Sequence, residues 1–415
     1  MKIGNYSWGV GDRFAHQAEP QLKALMQAQE LGLEIVPVWN KSNREHSFIH
    51  SEPSQTRDAA DAAVKKLDYK GPYFLDADHI NLSNVDRFMQ ACDFFTLDVA
   101  DYIGREAAPE EIDAFIGANS NYIGKLSIPG IAKPFDTPET EVRRIAKKFL
   151  FAIREASEIY QYIVKAKGND NFVAEVSMDE VNDAQSPVEM FFILSAIAMY
   201  KIPAQTIAPK FTGRFNKGVD YVGDLKQFEQ EFEEDLLVID CAVKEFGLPE
   251  NLKLSIHSGS DKFSIYPIMG RLIKKYNKGI HVKTAGTTWL EEVIGLAEAG
   301  GEGLEIAKKI YAEAYLHREE ITVPYATVID IRPENLPKPE EVNTWNGDKF
   351  AQSLRHIRTN PNYNPDFRQL IHVAFKLAAN LGKEYTDALE KYADIVGRQV
   401  YENLYDRHIK VLFEV

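Results

Sequence analysis

The feature of the sequence that most constrains its fold is a repeated alternation of short β-rich runs with longer amphipathic segments. Many of the runs are apolar at consecutive positions, which is typical of strands buried on both faces. Eight strand–helix units in succession predict an α/β protein of the (β/α)8 TIM-barrel type. The eight runs cover residues 2–10, 34–39, 73–78, 94–99, 172–176, 205–208, 253–256 and 279–283.

The segments between the runs carry helix signals. Residues 137–165 place isoleucine and phenylalanine at mostly three- and four-residue spacing, which predicts one long amphipathic helix. Ser186 and Glu189 form a capping box with Pro187 at the first helical position, so a helix is expected to begin there. A doubly wound open sheet is the alternative architecture, but residues 9–12 (GVGD) lack the glycine-rich first turn that usually marks it.

The alternation stops after the eighth run and the helix that follows it. Residues 332–339 contain three prolines, and because each proline restricts the residue before it, this segment is expected to be extended. Two helical stretches are predicted beyond it, at 347–358 and 365–413. We therefore expect a barrel domain over 1–320 and a C-terminal helical extension over 321–415 packed on the barrel. The sequence leaves open whether this extension is a lid.

Composition excludes several classes of partner and location. The chain has 415 residues, and 48 Lys+Arg against 62 Asp+Glu give a net charge of −14. An acidic chain without a long basic block argues against binding to nucleic acid or to anionic membranes, and no stretch reaches the ~18 apolar residues of a membrane-spanning helix. Cys92 and Cys241 form no CxxC pair, and the first residues do not resemble a secretion signal, so we expect a cytoplasmic protein.

Three histidines at or near strand ends predict a metal site. His79 and His257 follow the third and seventh runs, and His281 lies inside the eighth. Because the C-terminal strand ends of a barrel meet on one face, neutral imidazoles from separate strands can hold a divalent cation there. A single histidine is more often a surface or packing residue, so the prediction depends on all three converging. We interpret the other seven histidines as surface or packing residues: His16, His46, His50, His317, His356, His372 and His408. Among them, His16 and His372 are the first exceptions to consider.

Two carboxylates are candidates for proton transfer. Asp78 directly precedes His79 and could accept a proton from a substrate hydroxyl that the metal also polarises. Adjacent residues on a regular strand point to opposite faces, so Asp78 and His79 reach one site only where the strand bends or ends. Asp76 is the alternative base. If Asp78 has only a structural role, it is a helix cap or a loop carboxylate. Glu175 lies inside an apolar strand, where a raised pKa would make it a proton donor near neutral pH. Its structural interpretation is an ion pair with a barrel lysine.

The basic loop after the sixth run is a candidate for substrate binding. Lys210, Arg214 and Lys217 form a compact cluster that suits a carboxylate or a phosphate, although a solvated loop is an equal alternative. Ser258 lies in a Ser-Gly-Ser segment at a predicted helix start, where backbone N–H groups could hold an anion. Lys283, in the last strand, completes the predicted substrate-binding set.

Several segments together resemble the tagaturonate/fructuronate epimerase family over nearly the whole chain. The resemblance implies inversion at C4 of a six-carbon keto-uronate, with a divalent metal. It places the proton acceptor and the first metal ligand side by side, on Asp78 and His79, with His257 and His281 as the remaining ligands and Glu175 as the proton donor. The segments are 9–14 (GVGDRF), 38–45 (VWNKSNRE), 76–81 (DADHIN), 256–262 (IHSGSDK) and 368–373 (RQLIHV).

A weaker resemblance, carried by Asp78-His79 and by residues 257–260 (HSGS), is to metal-dependent class II aldolases. It bears on mechanism, because the hydrogen on C4 of a 2-ketose is not acidic and simple deprotonation lacks an electron sink. Cleavage of the C3–C4 bond, rotation of the resulting aldehyde and rebonding would invert C4 instead. In this hypothesis Lys210 or Arg214 grips the C6 carboxylate.

Three other functions remain open from the sequence. A ketose 3-epimerase or aldose–ketose isomerase would show two or more carboxylate metal ligands, and a true aldolase would release its three-carbon fragments. A non-catalytic sugar-acid-binding barrel would need no metal. Histidine ligands favour zinc, with manganese, nickel and iron as alternatives, and the sequence, which contains no coiled coil, is compatible with a homo-oligomer.

Overall fold

A computed structural model describes residues 1–179, 181, 183–284 and 286–414. Its centre is a closed barrel of eight parallel strands in the order β1-β2-β3-β4-β7-β8-β9-β10, with β10 pairing back onto β1. Each of the eight β-rich runs forms one barrel strand, so the predicted TIM-barrel fold is confirmed. The barrel strands are β1 (Tyr6–Val10), β2 (Ile35–Ser42), β3 (Phe74–Ile80), β4 (Phe94–Asp98), β7 (Val173–Ser177), β8 (Thr206–Ala208), β9 (Lys253–Ile256) and β10 (Ile280–Lys283); β5 (Gly124–Leu126) and β6 (Phe135–Thr137) lie outside the barrel.

The hairpin of β5 and β6 was not expected from the sequence. Its two strands pair antiparallel over three residues each, and neither has the continuous apolar character that marks the barrel strands. It precedes the long helix that follows β4 and takes no part in the barrel.

Helices surround the barrel and build the C-terminal extension. The first ten are α1 (Ala18–Glu30), α2 (Asn43–Ile49), α3 (Pro53–Lys66), α4 (Pro109–Ala118), α5 (Glu139–Lys167), α6 (Pro187–Met199), α7 (Leu225–Phe246), α8 (Tyr266–Tyr276), α9 (Thr287–Ala299) and α10 (Gly301–Leu316). The remaining α-helices of the described chain are α11 (Arg318–Thr322), α12 (Pro339–Asn343), α13 (Gly347–Leu354), α14 (Pro365–Val373), α15 (Phe375–Asn380), α16 (Lys383–Lys391), α17 (Ala393–Glu402) and α18 (Lys410–Phe413). No helix of the described residues is long and apolar enough to cross a membrane.

Local signals set the helix starts as predicted. Ser186 caps α6 by accepting the N–H of Glu189 at 3.2 Å, and the Glu189 carboxylate accepts the N–H of Ser186 in return. This reciprocal capping box satisfies two backbone donors that the helix itself leaves unpaired. α5 also forms where the apolar spacing predicts a long amphipathic helix.

The barrel interior is apolar at its base and polar at its upper end. A small cluster of fully or nearly fully buried side chains plugs the N-terminal end of the barrel; its members are Ile3, Val36, Val38, Phe74, Phe94 and Val173. Above this plug the inward positions of the strands carry acids, lysine and histidine, which are described below. The plug therefore separates the polar interior from solvent at the base, and the polar side chains lie toward the C-terminal strand ends, where barrels of this type usually carry their sites.

The C-terminal extension packs directly on the barrel helices. α17 lies against α1 and α9, and α18 lies against α8, where the carbonyl of Leu412 approaches Gly270 closely enough to exclude a side chain. The predicted helical stretch 365–413 is divided into shorter helices and a π-helical segment, Asn403–Ile409.

The proline-rich segment is extended only in part. Arg332, Leu336 and Lys338, the residues that precede its prolines, have extended backbones, as expected from the proline restriction. The residues between them form a short 3-10 turn, Pro333–Asn335, so the prediction of a fully extended segment is wrong there.

Candidate active site

Asp78 and His79 face the same cavity although they are adjacent in sequence. The pairing of β3 with β4 shifts register between Ala77 and Ile80, and His79 has a left-handed backbone with φ of 53°. A bulge of this kind re-aims the side chains of a strand. As a result Oδ1 of Asp78 lies 3.7 Å from Nε2 of His79, and both residues line one cavity at the barrel mouth.

Three residues place ligand atoms where one metal ion could bind them. His79 comes from β3, Asp179 follows β7 and His257 follows β9, and one ligand atom of each lies within 4.8 Å of the others. Two imidazoles and one carboxylate are a donor set found in catalytic metal sites that leave positions open for water or substrate. The chemistry of these donors fits a divalent cation.

His281 lies outside this group. It faces inward on β10 two residues before Lys283, which places it roughly 7 Å deeper in the barrel. Its Nδ1 lies 2.9 Å from the hydroxyl of Ser7, and its ring packs against Phe94 with 5.5 Å between ring centroids. Burial lowers the pKa of His281 to about 3, so the ring is neutral. The structure thus brings His79 and His257 together and sets Asp179, rather than His281, beside them.

The ammonium of Lys283 is the centre of a buried ionic network. Its Nζ lies 2.7 Å from Asp76, 2.8 Å from Asp78 and 2.8 Å from Glu175, and it donates to the hydroxyl of Thr96 at 2.7 Å. A lysine with these partners is held in one position by charge-assisted hydrogen bonds. The structure therefore gives Lys283 a place between three carboxylates, in addition to its position on the wall of the cavity.

The same ammonium changes the protonation of the acids around it. Burial opposes the ionisation of Asp78, but Lys283 and the two nearby imidazoles outweigh it and lower the pKa of Asp78. Asp76 differs, because burial raises its pKa to about 7 even beside Lys283. Asp78 is therefore the ionised acid that faces the cavity, and Asp76 lies deeper as its partner.

Glu175 does not have the raised pKa expected from its position in an apolar strand. Burial does oppose its ionisation, but Lys283 and His257 outweigh burial and lower its pKa well below the ordinary range. Oε1 of Glu175 accepts a hydrogen bond from Thr96 at 3.1 Å and lies 2.7 Å from Nε2 of His257. Glu175 is fully buried beneath the cavity, where it contacts two residues of its wall. The structural interpretation, an ion pair with a barrel lysine, is the contact observed.

Two adjoining cavities open at the barrel mouth. The larger has a volume of about 320 Å³ and the smaller about 90 Å³. Asp78, His79 and Lys283 line the smaller cavity, and the wall common to both includes His257 and Asp179. The candidate metal group therefore lies between the two spaces.

The predicted basic loop forms part of the larger cavity. Lys210 and Arg214 line it, as does Ser258, which also borders the smaller cavity and has a left-handed backbone with φ of 51°. Arg214 is half exposed and pairs with Asp330 at 3.3 Å. Lys217 borders both cavities and donates to the hydroxyl of Ser258 at 3.0 Å.

The C-terminal extension reaches the site. Tyr325 borders both cavities, and the guanidinium of Arg44 lies over its ring at 5.3 Å from the centroid. Val328 lines the larger cavity, and its carbonyl accepts the backbone N–H of Lys217 at 2.7 Å. His372 borders the smaller cavity. The residues after the barrel therefore supply one wall of the site.

Sequence reasoning missed Asp179 and the walls formed by Arg44 and Tyr325. Asp179 lies two residues beyond the end of β7, so the rule that examines strand ends would have found it if applied one turn further along. Ser177 holds the Asp179 carboxylate by donating to it at 2.7 Å. Nothing in the local sequence marks Tyr325, because it reaches the site only through the packing of the extension.

Comparisons with known proteins agree with this architecture. Residues 1–412 match the model of a family described as tagaturonate epimerase. The tagaturonate/fructuronate epimerase of Thermotoga maritima is 28% identical over 422 residues, which cover 98% of this chain and 80% of that protein. The native crystal structure of fructuronate-tagaturonate epimerase UxaE from Cohnella laeviribosi superposes with a TM-score of 0.79 at 24% identity, covering 99% of this chain and 82% of that one. A glycerol complex of the same Cohnella protein gives a TM-score of 0.77.

Proposed function

The chain belongs to the tagaturonate epimerase family and is an isomerase, and from this premise we propose that it inverts C4 of a six-carbon keto-uronate, interconverting D-fructuronate and D-tagaturonate. The observation that carries the proposal is the position of the Asp78 carboxylate. It lies on the wall of a cavity that also contains the His79–Asp179–His257 group and the Lys283 ammonium. An ionised base, a metal-binding group and a cation thus face one small space.

A divalent cation held there would polarise the C2 carbonyl of the substrate and stabilise negative charge. Two imidazoles and a carboxylate hold zinc in catalytic sites and also hold iron(II); we propose zinc, with manganese, nickel and iron as the alternatives. We propose His79, Asp179 and His257 as its ligands. This set contains one carboxylate among the described residues. It therefore differs from the carboxylate-rich site expected of a ketose 3-epimerase or an aldose–ketose isomerase.

The reaction that fits the site is cleavage and re-formation of the C3–C4 bond. Asp78 accepts the proton of the C4 hydroxyl, the C4–O bond becomes a carbonyl, and the electron pair of the C3–C4 bond passes to C3. The products are a three-carbon enediolate and a three-carbon aldehyde that carries the carboxylate. Rotation of the aldehyde presents its other face, and the reverse steps give the C4 epimer. Pairing with Lys283 keeps Asp78 ionised and able to accept the proton.

Return of the proton on the opposite face needs a second group. Glu175 was the sequence-based candidate, but it lies beneath the cavity rather than on its wall. Glu175 is also ionised and has no proton to give, so we propose that Lys283 supplies the proton, because its Nζ is 2.8 Å from both Asp78 and Glu175 and lines the smaller cavity. The proton that Lys283 gives to the new C4 oxygen is replaced by the proton that Asp78 took from the original C4 hydroxyl, which restores both groups, and the Glu175 carboxylate holds the Lys283 ammonium in place.

The larger cavity suits the half of the substrate that must rotate. Its volume of about 320 Å³ falls at the lower end of ordinary small-ligand pockets, and its wall carries Lys210 and Arg214. Cationic side chains recognise a carboxylate by charge-assisted hydrogen bonds. We therefore place the carboxylate-bearing fragment there, with Ser258 at the boundary between the cavities.

The test is turnover of D-fructuronate in deuterated water, followed by NMR. We expect D-tagaturonate without deuterium at C4, because the C4 hydrogen stays on the aldehyde carbon throughout. Substantial deuterium at C4 would contradict bond cleavage while leaving the epimerase function intact. Release of free three-carbon fragments in stoichiometric yield would identify an aldolase instead. Chelator-treated enzyme serves as the control for metal dependence, with activity expected to return on adding zinc.

A further inference from the structure

We propose that Lys217 is the residue that selects a carboxylate-bearing substrate. This inference rests on the proposed function and makes it more specific. Lys217 borders both cavities, and its ammonium donates to Ser258, the residue directly after the candidate ligand His257. Of the cationic residues in the loop after β8, it alone borders both cavities and not only the larger one.

The ammonium of Lys217 is available to an anion. Within the described residues no carboxylate lies within 4.0 Å of it, whereas Arg214 pairs with Asp330 and is half exposed to solvent. A partly buried cation without an opposite charge has lost hydration that a bound carboxylate would replace. Among the residues that the structure describes, Lys217 therefore lacks a carboxylate partner, and the carboxylate of a bound uronate would supply one whereas a neutral sugar would not.

Hydrogen bonds from other parts of the fold fix the backbone of Lys217 and of the residues directly before and after it. The buried ammonium of Lys262 donates to the carbonyl of Asn216 at 2.9 Å, and the buried guanidinium of Arg368 donates to the carbonyl of Gly218 at 2.5 Å. Between them, the N–H of Lys217 donates to Val328 at 2.7 Å. Three consecutive residues are thus held by hydrogen bonds from elsewhere in the fold, which limits the positions open to the Lys217 side chain.

Arg368 also connects this loop to the loop of Ser258. It forms a fully buried ion pair with Asp261, which lies three residues after Ser258. The N–H of Asp261 donates to Nε2 of His408 at 3.0 Å, so the C-terminal extension holds both loops at once. Lys217 and Ser258 are therefore positioned relative to each other by one arginine. A group fixed in this way can discriminate substrates at low entropic cost.

The experiment compares a charged and a neutral substrate. We expect Lys217→Met to lower kcat/KM for D-fructuronate by about 10- to 100-fold, mainly through KM, as for the loss of a hydrogen bond between charged groups. D-fructose, in which a hydroxymethyl group replaces the carboxylate, is measured in parallel as a slow substrate or as a competitive inhibitor. The KM or inhibition constant for D-fructose is expected to change less than about threefold, because D-fructose has no carboxylate that Lys217 could bind.

Two further variants make the result decisive. Lys217→Arg keeps the charge and should retain most of the affinity for the uronate. Lys226→Met removes the same charge from the first turn of α7, outside both cavities, and should change neither constant. An equal loss for both sugars would show that Lys217 acts on the reacting hydroxyl, and an unchanged KM for the uronate would show that it has no role; either result overturns the inference. A wild-type chain that turns over neither sugar would instead refute the proposed function.

Discussion

Asp78 and His79 are neighbours in sequence that occupy one wall of one cavity, because the bulge at the end of β3 turns the second residue to the face of the first. In a regular strand one of them would face the surrounding helices. The bulge therefore places the proposed base next to a candidate metal ligand within a single strand end.

Replacing the base tests the first half of this arrangement. We expect Asp78→Asn to lower kcat by about 10²- to 10⁴-fold, the usual contribution of a positioned general base, with metal content unchanged. Steady-state kinetics and elemental analysis of the purified variant check both parts. Asp113→Asn is the control, since that carboxylate lies exposed beside Arg143 on the surface. A variant that keeps more than a tenth of wild-type kcat would contradict the assignment.

The proposed metal ligands, His79, Asp179 and His257, can be tested by a pair of substitutions. Removing a residue that only hydrogen-bonds to a metal ligand weakens metal binding by about 10- to 100-fold. Asp179→Asn alters a proposed ligand itself, so it should weaken metal binding at least as much. His281→Asn should leave the metal content at one ion per chain, because His281 bonds to Ser7 deeper in the barrel. Inductively coupled plasma mass spectrometry and competition with a chelator give both values. The reverse pattern would restore His281 as a ligand and exclude Asp179.

The buried pair of Arg368 and Asp261 should act on substrate binding at a distance. Arg368→Lys keeps the charge but cannot reproduce the three separate donations to Gly218, Leu354 and Asp261. We expect KM for the uronate to rise several-fold more than kcat falls, and KM for a neutral ketose to stay nearly constant.

The matched control for Arg368 is Arg407→Lys. Arg407 pairs with Glu291 of α9 at 2.8 Å, so its replacement also disturbs the extension without touching the loop of Lys217. Thermal unfolding of both variants separates loss of stability from loss of position. Equal changes in KM in the two variants would reduce Arg368 to a structural role.

Glu292 should make the fold less stable as the pH rises. Burial, together with nearby Asp12, raises its pKa to about 8, and its carboxyl is bonded to the hydroxyl of Tyr385 at 2.8 Å. Because the folded chain holds this proton more tightly than the unfolded chain, whose carboxyl has the ordinary pKa of 4.5, the stabilisation is complete below pH 4.5 and is lost progressively up to about pH 8.

The variant Glu292→Gln should abolish this part of the pH dependence. Relative to the variant, the wild-type free energy of unfolding should fall between pH 5 and pH 8 by at most a few kcal/mol, since one pKa unit corresponds to about 1.4 kcal/mol. Urea unfolding at several pH values measures the difference. Parallel pH profiles for the two proteins would show that Glu292 has no raised pKa in the folded state.

The sequence by itself determined the barrel and the strand ends that carry the candidate site. Short apolar runs and amphipathic helices are local patterns, and a local pattern is enough to state that His79 and His257 follow strands. The rule that reactive groups gather at the C-terminal strand ends then brought these two histidines, with Asp78, to one site.

Only the tertiary structure decided how deep each candidate side chain lies in the barrel, which way it faces and which residues it contacts. Whether His281 or Asp179 lies beside the two histidines depends on strand register around a closed barrel, which no local pattern encodes. The low pKa of Glu175 depends on Lys283, a residue distant in sequence, because electrostatic shifts are set by distances in space. The wall formed by Tyr325 and the support given by Arg368 depend on how the C-terminal helices pack, and packing is decided by the complementarity of whole surfaces rather than by any one segment.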